Sequence, residues 1–189
     1  MLKQNIRVLL ASALFVLGAP VSAEWDEKKM AEKIDNLLSQ MTLEEKALMT
    51  SGRDAWSTQP IERLDIPYIW MADGPHGLRR APTTYLWGYG DQAPATCFPT
   101  ASALSATWDM DLLEEVGSAL STEANALGVD LLLGPGINIK RSPLAGRNFE
   151  YFSEDPILSG KLGVAYINGV QSQGVGATAK HYVANNVET

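Results

Sequence analysis

A single cysteine, Cys97, and two histidines, His76 and His181, are the only thiol and imidazole groups in 189 residues. One thiol excludes an intrachain disulfide, so the fold has to be held by its core. The three residues are too widely separated for zinc-ligand spacing, and no metal is expected. Cys97, with Ala95, Phe98 and Pro99 around it, reads as a buried small hydrophobe; no histidine is near it in sequence to make it a nucleophile. Positive charge is also scarce. Fifteen Lys and Arg against 22 Asp and Glu give a formal charge of −7, which argues against a phosphate-backbone binder, so nucleic acid is not an expected partner. Phosphate loops and Gly-x-Ser-x-Gly elbows are missing. Gly88-x-Gly90-x-x-Ala93 fits the dinucleotide fingerprint only formally, because no strand precedes it and Pro94 follows where a helix should open; no cofactor is implied. No apolar run reaches the roughly 20 residues that span a bilayer.

What is present at the start is a leader. Lys3 and Arg7 precede an apolar stretch over 8–19, and Val21-Ser22-Ala23 forms a small-x-small cleavage site. Residues 1–23 are read as a signal peptide and 24–189 as the folded part, periplasmic or secreted. The composition, 46% hydrophobic and 20% charged, is that of an ordinary globular protein. The length suffices for one core but falls short of the roughly 250 residues of a complete eightfold β/α barrel.

Met30, Ile34, Leu37, Leu38 and Met41 recur at helical spacing, and Thr42 with Glu45 three residues on opens a second, short helix through a capping box. Residues 66–72 form a nearly continuous apolar run that ends at Asp73-Gly74-Pro75, as a buried strand does. Leu112, Leu113, Val116, Leu120, Ala124 and Leu127 predict a helix capped by Asp109 or Asp111 and closed by Gly128. A second strand over 129–133 stops at Gly134-Pro135-Gly136. Asp155-Pro156 is an N-cap with proline at the first helical position, and Leu158, Leu162, Ala165, Tyr166 and Val170 are the buried stripe of that helix. Gly174 ends it, and a third strand covers 175–182. Strands alternating with helices make an α/β chain with a parallel sheet.

Polar residues cluster at three matching places: 73–80 after strand one, 138–147 after strand two, and Lys180-His181 at the end of strand three. These are the C-terminal ends of parallel strands, the rim where ligands bind in barrels and open sheets alike. Asp73 is either a turn former or a carboxylate that accepts hydrogen bonds from adjacent hydroxyls of a polyol. His76, a structural imidazole or a ligand group, and Arg79 follow it. Lys180 and His181 are either solvated at the strand end or projected into a cleft. Arg147 offers paired planar donors, or an ion pair with Glu150, Glu154 or Asp155. Of the five tryptophans, Trp70 and Trp108 read as core, whereas Trp87, between Tyr85 and Tyr89, suits the face of a sugar ring.

Three stretches carry a family resemblance: Met71-Ala72-Asp73-Gly74-Pro75-His76-Gly77-Leu78-Arg79, Arg141-Ser142-Pro143-Leu144-Ala145-Gly146-Arg147-Asn148-Phe149-Glu150-Tyr151-Phe152-Ser153-Glu154-Asp155-Pro156, and Lys180-His181-Tyr182-Val183-Ala184-Asn185-Asn186-Val187-Glu188-Thr189. They resemble glycoside hydrolase family 3, the β-glucosidase and β-xylosidase group, from about Glu24 onward and over the first part of the family's amino-terminal barrel domain. The resemblance implies an incomplete (β/α)8 barrel, truncated at its C-terminal side, with an unpaired edge on strand three. It implies that Asp73 holds sugar hydroxyls and that Arg79, Arg147, Lys180 and His181 donate around the same ring. Glu154 and Asp155 are read as helix-entry and Arg-pairing groups. By the same resemblance the reaction is retaining hydrolysis of terminal β-D-glucosyl residues, needing two carboxylates roughly 5 Å apart. The nucleophile and the acid/base residue fall beyond Thr189, so the 189-residue chain alone is expected to be inactive while its parent takes a β-glucoside or oligosaccharide. The alternative is a non-catalytic sugar-binding protein that uses the same rim residues.

Overall fold

The structure, a computed structural model, describes residues 26–80 and 91–188, in two compact units, Met1–Met41 and Thr42–Thr189. The leader, Tyr85, Trp87, Tyr89 and the Gly88-x-Gly90 run lie outside the described residues. In the first unit, helix α1 (Glu27–Gln40) is capped by the Asp26 carboxylate, which accepts from the Lys29 N–H at 3.1 Å. Its stripe residues Met30, Ile34 and Leu38 are exposed.

The second unit opens with the capping box expected from Thr42. The Thr42 hydroxyl accepts from Glu45 N–H and the Glu45 carboxylate from Thr42 N–H, which starts α2 (Leu43–Met49). Arg63 then takes Glu45 in a two-pronged pair; this pair, with the Thr42 N–H, holds the Glu45 carboxyl down at about 2.

Three short strands follow, β1 (Met71–Ala72), β2 (Leu131–Leu132) and β3 (Gly176–Ala177), parallel and in sequential order. Between them run α3 (Ala101–Ser105), α4 (Met110–Ala126) and α5 (Pro156–Ser172). Asp109 caps α4 and Asp155, with Pro156 behind it, caps α5. Gly128 and Gly174, both at positive φ, turn the chain out of these helices. The core lies between helices and sheet: Ala72 and Leu132 from the strands meet Leu113, Leu120, Leu162, Tyr166 and Val170 from α4 and α5. Every residue of the stripe read for α5 is buried. Among the described residues no helix is long and apolar enough to cross a membrane.

The strands are shorter than the apolar runs suggested. Pro67 has no N–H for a ladder, and the chain beside it pairs with residues 56–58 instead: Thr58 N–H donates to Ile69 and Met71 N–H to Trp56. Tyr68 and Ile69 are consequently exposed. Past β3, Thr178 and Lys180 still donate to the carbonyls at the end of β2, but the ladder thins to an isolated bridge between Gly136 and Lys180. Helix α3 escapes the periodicity because five residues are too few to show it; its signal is Thr100, whose hydroxyl accepts from Ala103 N–H.

Two side chains expected inside lie outside. Cys97 is exposed. Its neighbour Phe98 packs against the core, and alternation along this extended segment turns the thiol outward. Trp108 is also exposed, because it occupies the left-handed turn between α3 and α4.

Helices α4 and α5 touch backbone to backbone. A Cβ at Gly117 would sit 2.4 Å from the Tyr166 carbonyl oxygen and one at Gly169 2.1 Å from that of Glu114, whereas one at Gly160, also in α5, would meet nothing within 4 Å. Gly169→Ala is therefore expected to destabilise the protein by about 1–3 kcal/mol or more, and Gly160→Ala to stabilise it by about 0.5–1 kcal/mol. Thermal unfolding of the two variants checks both signs; equal effects would remove the close contact from the account.

Candidate functional site

Parallel strands put their C-terminal ends on one side, so the segments after β1, β2 and β3 converge there. Asp73 leaves β1 into a turn that only glycine permits: Gly74 has φ of +100°, and a Cβ on it would lie 2.0 Å from the Gly77 carbonyl oxygen. The turn closes with Gly77 N–H donating to Gly74, and Arg79 N–H returns to the Asp73 carbonyl at 2.9 Å. Pro75 is pinned twice, by the buried Tyr166 hydroxyl donating to its carbonyl at 2.9 Å and by the close approach of Gly134 at the end of β2.

Lys180 reaches across from β3. Its ammonium donates to Asp73 Oδ1 at 2.7 Å and lies 3.8 Å from Glu150 Oε2, with the side chain 14% exposed. Arg79 approaches the other Asp73 oxygen at 3.5 Å. Glu150, buried, pairs with Arg147. Arg147 also donates to Glu188 at 3.3 Å and to His181 Nε2 at 2.6 Å. The five residues singled out from sequence, Asp73, Arg79, Arg147, Lys180 and His181, thus belong to one network of ion pairs and hydrogen bonds. Of the pairings open to Arg147, Glu150 is taken; Asp155 is the cap of α5.

Burial pushes the Asp73 carboxyl up, but Lys180, the Gly74 N–H and Arg79 outweigh it and leave it below 3.8. Burial, then Arg147 and Lys180, push His181 below 6.5, so its imidazole is neutral at neutral pH. His76 is lowered chiefly by burial. Arg147 is held further into its charged form by Glu150. Because a guanidinium only donates, His181 Nε2 must accept from Arg147; in this structure the imidazole is an acceptor at Nε2 rather than a donor.

Two hollows flank the network. An open cleft of about 680 Å³ is lined by Asp73, His76, Arg79, Cys97, Arg147, Phe149, Glu150 and Glu188. The size suits a small ligand. Lys180 and His181 line instead a neighbouring hollow of about 440 Å³, with Asn138, Tyr182 and Asn186. They meet the cleft through Asp73, Glu150 and Arg147. Sequence reading missed Glu150 as a site group, although an acid between Phe149 and Tyr151 is a signal in itself. Glu188 and Asn138 carry no such signal.

The arrangement is rich in paired charges at and beside the cleft. Each carboxylate can exchange part of its partnership for hydroxyl donors, and each cation for hydroxyl acceptors, without a change in protonation. That is the chemistry of binding a polyhydroxylated ring.

Comparison with known proteins agrees with the geometry. The model of the glycosyl hydrolase family 3 N-terminal domain matches residues 26–189. Thermostable beta-glucosidase B of Acetivibrio thermocellus is 58% identical over 160 residues, which are 84% of this chain and 21% of the relative. An exo-alpha-(1->6)-L-arabinopyranosidase of Bifidobacterium longum is 48% identical over 162 residues, 85% of this chain and 21% of that one. Among solved structures, beta-glucosidase 3B from Thermotoga neapolitana in complex with alpha-D-glucose matches with a TM-score of 0.75 at 45% identity, covering 83% of this chain and 24% of the other. The chain spans about a fifth of the length of the curated relatives it matches. On the extent of the family match and this level of identity, the chain belongs to glycosyl hydrolase family 3, within its N-terminal domain.

Proposed function

We propose that this chain is the glycone-binding part of an exported β-glucosidase-like hydrolase that removes terminal non-reducing β-D-glucosyl residues by the retaining route. The observation that carries this reading is the Asp73–Lys180 pair at the strand ends, linked through Glu150 to Arg147 and opening on the cleft. An ionised carboxylate there accepts from two neighbouring hydroxyls while the cations supply donors for the others. Beta-glucosidase names among the relatives support the substrate class. The sequential order β1-β2-β3 supports reading the sheet as the opening strands of a β/α barrel, since a doubly wound sheet reverses its order at the ligand site. The leader supports export to the periplasm or beyond.

The general acid is assigned elsewhere than in this cleft. A general acid needs a raised pKa, and Asp73 and Glu188 are both pushed down, Asp73 by Lys180 against its burial and Glu188 by Asn185 and Arg147. Glu150 is spoken for by Arg147 and Lys180. On this reading, and as the family resemblance implies, the nucleophile and the acid/base residue lie beyond Thr189.

In cells carrying Asp73→Ala, hydrolysis of an aryl β-glucoside by the exported protein is expected to fall by more than about 100-fold, the worth of two charge-assisted hydrogen bonds. An immunoblot against segment 141–156 controls for export. Unchanged turnover would overturn the reading, and glucose binding by the exported protein without any turnover would favour the non-catalytic sugar-binding alternative. The 189-residue chain by itself is expected to show no hydrolysis.

The pH dependence has a defined sign. His181 and His76 both have folded values below 6.5, so their neutral forms are complete above that value and are lost as pH falls through the lowered ones; Asp73, below 3.8, stays ionised throughout. Glucose affinity measured by titration calorimetry is therefore expected to hold between about pH 8 and 7 and to weaken only on the acid side, once pH falls through the lowered histidine values. A loss on the alkaline side instead would contradict the neutral-imidazole assignment.

A further inference from the structure

The imidazole of His181 is held by more than Arg147. Asn138, buried in the segment that follows β2, touches it three times: Oδ1 accepts from the His181 backbone N–H at 2.7 Å and stands 3.2 Å from ring Nδ1, and Nδ2 donates to the His181 carbonyl at 3.3 Å. The two backbone contacts settle which way the Asn138 amide faces, since only its oxygen can meet an N–H and only its nitrogen a carbonyl. The oxygen therefore faces Nδ1 for reasons independent of the ring. On the far side, Arg147 donates to Nε2 at 2.6 Å and disfavours a proton there. Tyr151 completes the cage with its hydroxyl 3.1 Å from Nδ1, and that hydroxyl accepts from Asn185 at 3.1 Å.

We propose that Asn138 is a positioning residue that fixes His181 as its Nδ1–H tautomer and so aims the Nε2 lone pair at Arg147. The proton on Nδ1 is shared between Asn138 Oδ1 and the Tyr151 oxygen. Nε2 is left as an acceptor that braces the Arg147 guanidinium toward Glu150 and the cleft. The other tautomer would set an N–H against the guanidinium and leave the Asn138 oxygen with one donor fewer. Lys180, Glu150, Asp73, Glu188, Tyr151 and Arg147 are charged or titratable groups around this ring, and Asn138 is the neutral one that contacts both its backbone and its ring.

The tautomer is measurable without any reaction. Two histidines are present, so a long-range ¹H–¹⁵N correlation spectrum of the ¹⁵N-histidine-labelled chain above pH 7 resolves both rings, with His181→Gln for assignment. His181 is expected to carry its proton on Nδ1. Asn138→Leu removes the acceptor, and the ring is expected to become a mixture with Nε2–H; Asn138→Asp keeps the acceptor and is expected to restore Nδ1–H. A proton on Nε2 in the wild-type chain overturns the proposal, as does an unchanged Nδ1–H tautomer in Asn138→Leu.

The second arm rests on the function proposed above. Glucose affinity is expected to drop roughly tenfold in Asn138→Leu, the scale on which partners of functional side chains act, and to recover in Asn138→Asp. A pure packing role predicts no such rescue and would overturn the proposal. Wild-type chain that shows the Nδ1–H tautomer but no sugar binding would leave the positioning role standing and remove the sugar-binding reading.

Discussion

The ion pair between Lys180 and Asp73 is the contact on which the rest of the site depends, because it joins the end of β3 to the end of β1 across the intervening strand. A lysine side chain so little exposed is unfavourable without a partner. Its two carboxylates, Asp73 and Glu150, come from segments far apart in sequence, so the pair forms only once the sheet is in register. Removing either member would cost up to about 3 kcal/mol, reduced by the water that still reaches Asp73. The cost of burying Lys180 is thus offset only when the strand ends are correctly assembled, and binding chemistry and fold are enforced by one contact.

The loop that carries Asp73 is shaped from beneath. Tyr166 on α5 donates to the Pro75 carbonyl, and Gly134, leaving β2, has no side chain to hold Pro75 away. The same helix lies against α4 at Gly117 and Gly169 with no room for a methyl group. A shift of α5 therefore reaches the turn around Gly74 through a hydrogen bond and a close contact rather than through a soft layer of side chains. Close packing of this kind transmits displacement, since interiors have little free volume to absorb it.

Local chemistry was legible in the sequence wherever a residue acts on neighbours three or four positions away. Thr42 with Glu45, Asp109, and Asp155 with Pro156 each satisfy backbone donors within their own first turn, and each starts a helix where it was read. The apolar stripe of α5 and the strand order were legible for a similar reason: the periods and the β-α alternation leave few ways to bury the same residues. Strand extents were not, because whether residues 66–70 join the ladder depends on competition from residues 56–58, which no period records. Cys97 and Trp108 failed as core residues through neighbours: Phe98 took the inward position, and a left-handed turn carried Trp108 out. Asp73, Arg147 and Lys180 stood out as charges beside apolar strands. Glu150 and Asn138 did not stand out as site groups, since their partners, Lys180 and His181, arrive from a strand thirty or more residues later.

The charges of the network balance, three carboxylates from Asp73, Glu150 and Glu188 against Arg79, Arg147 and Lys180. A balanced set favours a neutral ligand, because an anion or a cation would have to displace one partner of a pair without replacing its charge. Hydroxyl groups can insert between partners and satisfy both. Discrimination among rings then has to come from groups whose bonding is not already committed. His76 is one such group on the cleft wall, since no hydrogen bond to its ring is made among the described residues and burial keeps it neutral, able to donate at one nitrogen and accept at the other.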